Sequence, residues 1–154
     1  GLFDGSVLYL DLDTIVCGDI TDIANADSPL ALSWDMKRGW INSSLMRWSV
    51  DLSFVYRAFA EARDHETQMQ EFESGGLWGD QGFLQSKLSE AKIGWNWIQD
   101  LFPERINWHP PANRDRPAIT GTSISLWYGH PKPHEISTDF VAEHWRPKAR
   151  HPVA

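Results

Sequence analysis

Apolar and polar positions alternate along this chain in short blocks, and the blocks predict alternating strands and helices. Ser6–Val16, SVLYLDLDTIV, is a near-continuous β-prone run broken only by Asp11 and Asp13. A run apolar on both faces predicts a central strand covered on both sides. Residues 17–29 are acidic and turn-rich, with Ile20 and Ile23 anchoring a short helical turn. Ala31–Trp34 and Asn42–Trp48 read as further strands, joined by an exposed loop through Lys37, Arg38, Gly39 and Trp40. Asp51–Arg63 carries Leu52, Val55, Tyr56 and Phe59 at i, i+3, i+4 and i+7, the stripe of an amphipathic helix. Polar residues from Asp64 to Ser74 extend that helix, and Gly75-Gly76 ends it. Asp80–Ala91 predicts a second helix with Asp80 placed to cap its first turn. Trp95–Asn113, with Pro103, Pro110 and Pro111, reads as irregular. Ile119–Tyr128 returns to a strand, Gly129–Glu135 is a loop rich in Pro and His, and Ser137–Trp145 is a short final helix. The alternation predicts an α/β domain.

Composition narrows the function. The 154 residues fit one domain with a core of its own. A net charge of −7 argues against a nucleic-acid surface, which would carry a basic patch. It leaves room for a nucleotide, whose phosphates can be met by a metal and a few local donors. Cys17 is the single cysteine, which rules out an internal disulfide and points to a reducing cytoplasm. No apolar run reaches the length of a membrane span. The nine tryptophans suit core and rim packing, with one or two available to stack on a sugar face.

The chemistry centres on Asp11-Leu12-Asp13. On a strand, carboxylates at i and i+2 point to one face. Burying them unpaired is costly, so they need a cation or another strong partner. A hard divalent ion, Mn²⁺ or Mg²⁺, shared with a diphosphate would satisfy both. The plainer alternative is that one acid caps a turn while the other is solvated.

Tyr9-Leu10-Asp11-Leu12-Asp13-Thr14-Ile15-Val16, followed by Gly18-Asp19-Ile20, resembles the family 8 glycosyltransferases, the glycogenin and bacterial galactosyltransferase group. Asn42-Ser43-Ser44-Leu45-Met46 resembles that family's NSG-hydrophobic strand, and Asp80-Gln81-Gly82-Phe83-Leu84 its DQ helix start. Gly129-His130-Pro131-Lys132-Pro133-His134 resembles its G-x-x-K-P-W loop. The resemblance implies a GT-A fold, a mixed sheet flanked by helices, of which this chain corresponds to the C-terminal part as a single domain. The family's uracil- and ribose-binding strands, which precede its D-x-D, have no counterpart here. It further implies a UDP-sugar donor, Mn²⁺, and hexosyl transfer with retention of configuration to a glycan, lipid or protein acceptor. Asp11 and Asp13 would hold the metal. Asn42 and Ser43 would sit near the donor sugar, and Asp80 and Gln81 would face the reacting centre. Gly129 and Lys132 would meet the diphosphate, Lys132 neutralising charge as UDP leaves. Two local departures stand out: Leu126-Trp127-Tyr128 lacks the family's metal-binding His, for which His130 is the nearest replacement, and His134 stands where the final Trp would be.

Two other readings compete. LDLDTIV also resembles the first motif of haloacid-dehalogenase-type phosphatases, with Asp11 as nucleophile and Asp13 as general acid. That chemistry needs a later Lys and a pair of acids; Asp80 supplies one, but Leu84 stands where the second would fall. A non-catalytic, transferase-like module that binds a glycan or a protein is the third. Plainer roles stand beside each assignment: His130 and His134 as solvated loop residues, Lys132 as a surface lysine, and Asp80 as a helix cap.

Overall fold

The long apolar run near the start of the chain is not one strand. In the computed structural model, which describes residues 5–35, 40–61, 64, 79–109 and 121–145, it divides into β1 (Val7–Leu10) and β2 (Ile15–Val16). These belong to two different sheets. Between them the Thr14 N–H donates to the Asp11 carbonyl (3.0 Å), closing a turn over Asp11–Thr14. Aspartate is poor in strands and favours the first position of such turns, and this local preference overrides the apolar pattern. Leu12, at the tip, is 93% exposed. The expectation of a covered central strand is therefore corrected: β1 lies at the edge of its sheet.

The chain continues with α1 (Thr21–Ala24), β3 (Leu30–Trp34), β4 (Ile41–Trp48), α2 (Ser53–Glu61) and α3 (Gly79–Glu90). Then come β5 (Asn96–Trp97), α4 (Ile98–Leu101), β6 (Ile106–His109), β7 (Ile124–Trp127), a 3₁₀ turn (Pro133–Glu135) and α5 (Asp139–His144). Thr138 caps α5 by accepting from the Val141 N–H. The stretch 95–113, expected to be irregular, instead supplies β5, α4 and β6, each too short to show a period in sequence. The expected helical extension over 65–76, the Lys37–Gly39 loop and Pro110–Asn113 lie outside the described residues.

The first sheet runs β1-β4-β3-β5, with β1–β4 and β3–β4 antiparallel and β3–β5 parallel. The second runs β2-β7-β6, with β2–β7 antiparallel and β6–β7 parallel. The protein is thus mixed α/β with two mixed sheets, where the sequence suggested one.

Alternation along the strands decides which layer each side chain enters. Ala31 and Leu45 of the first sheet meet Ile124 and Leu126 of the second in one buried cluster, closed by Ile23 and Ile98. Leu30 and Leu32, flanking Ala31 and so on the opposite face, pack with Ile41, Leu84 and Leu88, which puts α3 on that side. Phe54 and Val55 bring α2 to the same cluster, and Phe59 meets Phe83 edge to face at 5.9 Å. Tyr56, expected in the buried stripe, is 72% exposed. On the outer face of the second sheet, Trp127 packs with Ile15 and Val141, which seats α5.

Candidate functional site

β4 carries an irregularity that shapes the site. Leu32 pairs with Met46, but the next residue, Ser33, pairs with Asn42, so Ser43, Ser44 and Leu45 fall between the two registers. Bulged segments re-aim side chains and are frequent beside active sites. On the other edge of β4 the ladder is intact through Leu10–Leu45, and the Asp11 N–H extends it by donating to the Ser44 carbonyl (2.9 Å). The acidic turn is thereby anchored to the Asn42-Ser43-Ser44 segment.

Asn42 is buried; its Oδ1 accepts from the Ser44 N–H (2.9 Å) and its carbonyl from Ser33 Oγ (2.8 Å). Ser43 Oγ donates to Asp80 Oδ2 at 2.6 Å. Asp80 lies inside the first turn of α3, and this contact ties the helix start to β4. Gln81 follows it, half-buried.

At the turn, Tyr9 Oη donates to Asp11 Oδ1 (2.8 Å). That bond, then partial burial, then the negative charges of Asp11, Asp80 and Asp13 hold the Tyr9 hydroxyl above its ordinary pKa. One phenol therefore feels all three carboxylates. The neighbour of Asp13, Thr14, is buried, and its Oγ1 has no hydrogen-bond partner among the described residues. A buried hydroxyl in that state calls for a water or a ligand.

The fourth segment arrives from 119 residues away: Lys132 Nζ forms an ion pair with Asp13 Oδ2. The pair is partly buried, with the two side chains 27% and 22% exposed. Gly129 precedes it at φ +66°, a conformation glycine adopts without strain. The Glu135 carboxylate accepts from the Lys132 N–H and from His130 Nδ1 (2.9 Å), while the Glu135 N–H donates to the Lys132 carbonyl (2.9 Å). These contacts hold the Glu135 carboxyl below its ordinary pKa, the Lys132 N–H foremost and His130 next.

Asp11, Asp13, Ser43, Asp80 and Lys132, singled out in sequence, are thus linked through contacts within one region. His130 is placed otherwise: its side chain is 77% exposed and engages Glu135. Tyr9 and Glu135 carry contacts that the sequence reading gave no role. Glu135 had a legible signal, an acid three residues after Lys132 in the spacing of a capping box.

Carboxylates are the residue type that holds a hard divalent ion, but β1 ends at Leu10, so Asp11 and Asp13 lie on a turn and not on the one strand face expected of them. Such ions are commonly held by one or two carboxylates, with phosphate oxygens and water completing the shell. Asp11 and Asp13 provide the carboxylates. Among the described residues no group of three or more His, Cys, Asp or Glu is placed to hold a metal, so a bound ion would draw its remaining ligands from a phosphate and water.

The protein is mixed α/β, with Lys132 paired to Asp13, Tyr9 bonded to Asp11 and Ser43 bonded to Asp80. No protein-family model matches the sequence, and no curated protein matches it significantly.

Proposed function

We propose that this chain is the catalytic part of a metal-dependent glycosyltransferase that moves a hexose from a UDP-sugar to a glycan, lipid or protein acceptor, with retention of configuration. The observation that carries the reading is the meeting of four sequence segments: Lys132 on Asp13, Ser43 on Asp80, and Asp11 on the Ser44 backbone. These are the segments through which the chain resembles family 8 transferases, and folding draws them together.

The residues suit the chemistry. Asp11 and Asp13 would hold Mn²⁺ or Mg²⁺, which when bound neutralises charge developing on the departing diphosphate. Tyr9 fixes one oxygen of Asp11, leaving the other free to act as ligand. Lys132 offers a second positive charge to the leaving group. Gly129 lets the backbone approach phosphate oxygens closely. Asp80, oriented by Ser43, and Gln81 would face the sugar. His130 has a different part from the one expected: held by Glu135, it helps shape the loop that presents Lys132.

The phosphatase alternative shares one observation, since Lys132 beside Asp13 supplies its late lysine. It still lacks the second late acid, because Leu84 is buried against Leu88 and the first sheet. Covalent phosphorylation of Asp11 by a phosphoryl donor would be its signature.

The test is calorimetric titration of UDP into the protein with and without Mn²⁺, beside the Asp11→Asn, Asp13→Asn double variant. Saturable binding that requires both the metal and the two aspartates is the expected outcome. A folded protein that binds no UDP, or binds it equally with both aspartates replaced, would overturn the reading. Metal-independent glycan binding without UDP binding would favour the non-catalytic module.

A further inference from the structure

Asp13 already carries a cation, the ammonium of Lys132. The lysine backbone is fixed: prolines flank it on both sides, its N–H is held by Glu135, and its carbonyl accepts from the Glu135 N–H. Its freedom lies in the four-carbon side chain, which can carry the charge to a new partner without moving the loop. A divalent ion on Asp13, even on the carboxylate oxygen that Lys132 leaves open, would be repelled by this ammonium, so close binding favours moving the ammonium aside. Once displaced, the ammonium needs another anion. Glu135 is engaged by His130 and the loop backbone, and one oxygen of Asp11 is engaged by Tyr9. A diphosphate on the incoming metal would supply it. Thr14, the next residue in the chain after Asp13, is buried with an unpartnered hydroxyl.

We propose that Lys132 is a built-in placeholder for the divalent cation, so that cation and diphosphate bind as a coupled pair and neither binds well alone. The proposal rests on the cation–diphosphate reading of the site and adds a regulation to it. With Lys132 on Asp13, the metal is kept weakly bound until a nucleotide diphosphate arrives. Coupling of this kind is reciprocal, so the metal raises diphosphate affinity by the factor by which diphosphate raises metal affinity.

The experiment measures Mn²⁺ binding in the absence of nucleotide, from the loss of the free-ion electron paramagnetic resonance signal. It compares wild type, Lys132→Met and Lys132→Arg, with Asp13→Asn as the control that removes the site. UDP affinity with and without Mn²⁺ is measured on the same proteins by calorimetry, and circular dichroism confirms that each is folded. Removing the competing charge should tighten binding of Mn²⁺ alone by about tenfold in Lys132→Met, within the usual range of coupling between sites. Lys132→Arg, which keeps the charge, should stay near wild type. The enhancement of UDP binding by Mn²⁺ should shrink in Lys132→Met. If Lys132→Met binds Mn²⁺ no tighter than wild type while wild type still shows Mn²⁺-dependent UDP binding, the placeholder is overturned and the functional reading stands. If wild type shows no Mn²⁺-dependent UDP binding but Lys132→Met gains Mn²⁺ affinity, only the competition between Lys132 and the cation at Asp13 stands, and both the coupling to diphosphate and the transferase reading fail. Loss of both effects overturns both.

Discussion

Tyr9 on Asp11 and Lys132 on Asp13 are two separate contacts, and in each the carboxylate has one oxygen engaged by a neighbour. A carboxylate held in this way is oriented before any ligand arrives, which lowers the cost of ordering it. Tyr9→Phe removes the hydroxyl without changing the ring. Calorimetry should then show Mn²⁺-dependent UDP binding weakened by roughly three- to tenfold, the worth of one such hydrogen bond. Unchanged affinity would show that Tyr9 does not position Asp11. Arg47 makes a separate point about buried charge. It is 6% exposed, and its guanidinium donates to the carbonyls of Ala24 and Ser28 and to Ser49 Oγ. Arg47→Ala strips donors from carbonyls that α1 and the following turn leave inside the protein. Urea denaturation should find it destabilised by about 1–3 kcal/mol, the cost of buried groups left without partners. The site residues were legible at this scale because carboxylates inside an apolar run, and a lysine between two prolines, are unusual placements. Their contacts were not, since Lys132 and Asp13 lie 119 residues apart and nothing local couples them.

Among the elements, β4 is the one that organises the rest. It pairs with β1 and β3, and its irregular segment brings Ser43 to the start of α3 and Ser44 to the acidic turn. Strands 3 and 4 and helices 1, 2, 3 and 5 could be placed from the sequence to within a few residues, α2 by its apolar stripe and α3 by Asp80 at its start, whereas β7, expected from Ile119, begins at Ile124. The failures have identifiable causes. The turn preference of Asp11 and Asp13 outweighed the β propensity around them, splitting one expected strand into two. Asn96–Trp97 and Ile98–Leu101 were missed because two to four residues cannot display a period. Tyr56 matched the stripe of α2, yet a phenol is amphipathic and tolerates the exposed side it occupies. Packing between the sheets should dominate stability. Leu126, fully buried where they meet, should on replacement by Ala lose about 2–5 kcal/mol in urea denaturation. A loss below about 1 kcal/mol would mean that the two sheets do not share a tight core.

On the scale of the molecule, two sheets with helices on their outer faces leave the four motif segments at one place, joined by charge as well as by backbone. The exposed acids around this framework predict its response to pH. Asp22 is held below its ordinary pKa first by Arg105, Asp19 by Thr21, Asp51 by Ser53, Glu90 by Lys87 and Glu135 by the Lys132 N–H. A carboxyl whose pKa is lowered by folding stabilises the native state while ionised, so its contribution is complete above the unfolded value near ~4. That contribution fades as pH drops through the lower folded value. The urea midpoint should therefore hold from neutrality to about pH 5 and fall below it. The decline should be shallow and should shrink further in high salt, because these acids face solvent. A midpoint that rises on acidification would contradict these assignments.

The general class was readable from the order of strands and helices, but the division into two sheets was not, because pairing depends on contacts between distant segments. The proposed function requires Asp11–Asp13, Asn42–Ser44, Asp80–Gln81 and Gly129–Lys132 to surround one cation–diphosphate site. Paramagnetic broadening of assigned amide resonances by substoichiometric Mn²⁺, in the presence of UDP, tests it most directly. Amides of all four segments should fade together, well before those of the exposed acidic face at Asp19 and Asp22, and Asp13→Asn should abolish the effect. Broadening spread over the acidic surface, or confined to one segment, would contradict the proposed function.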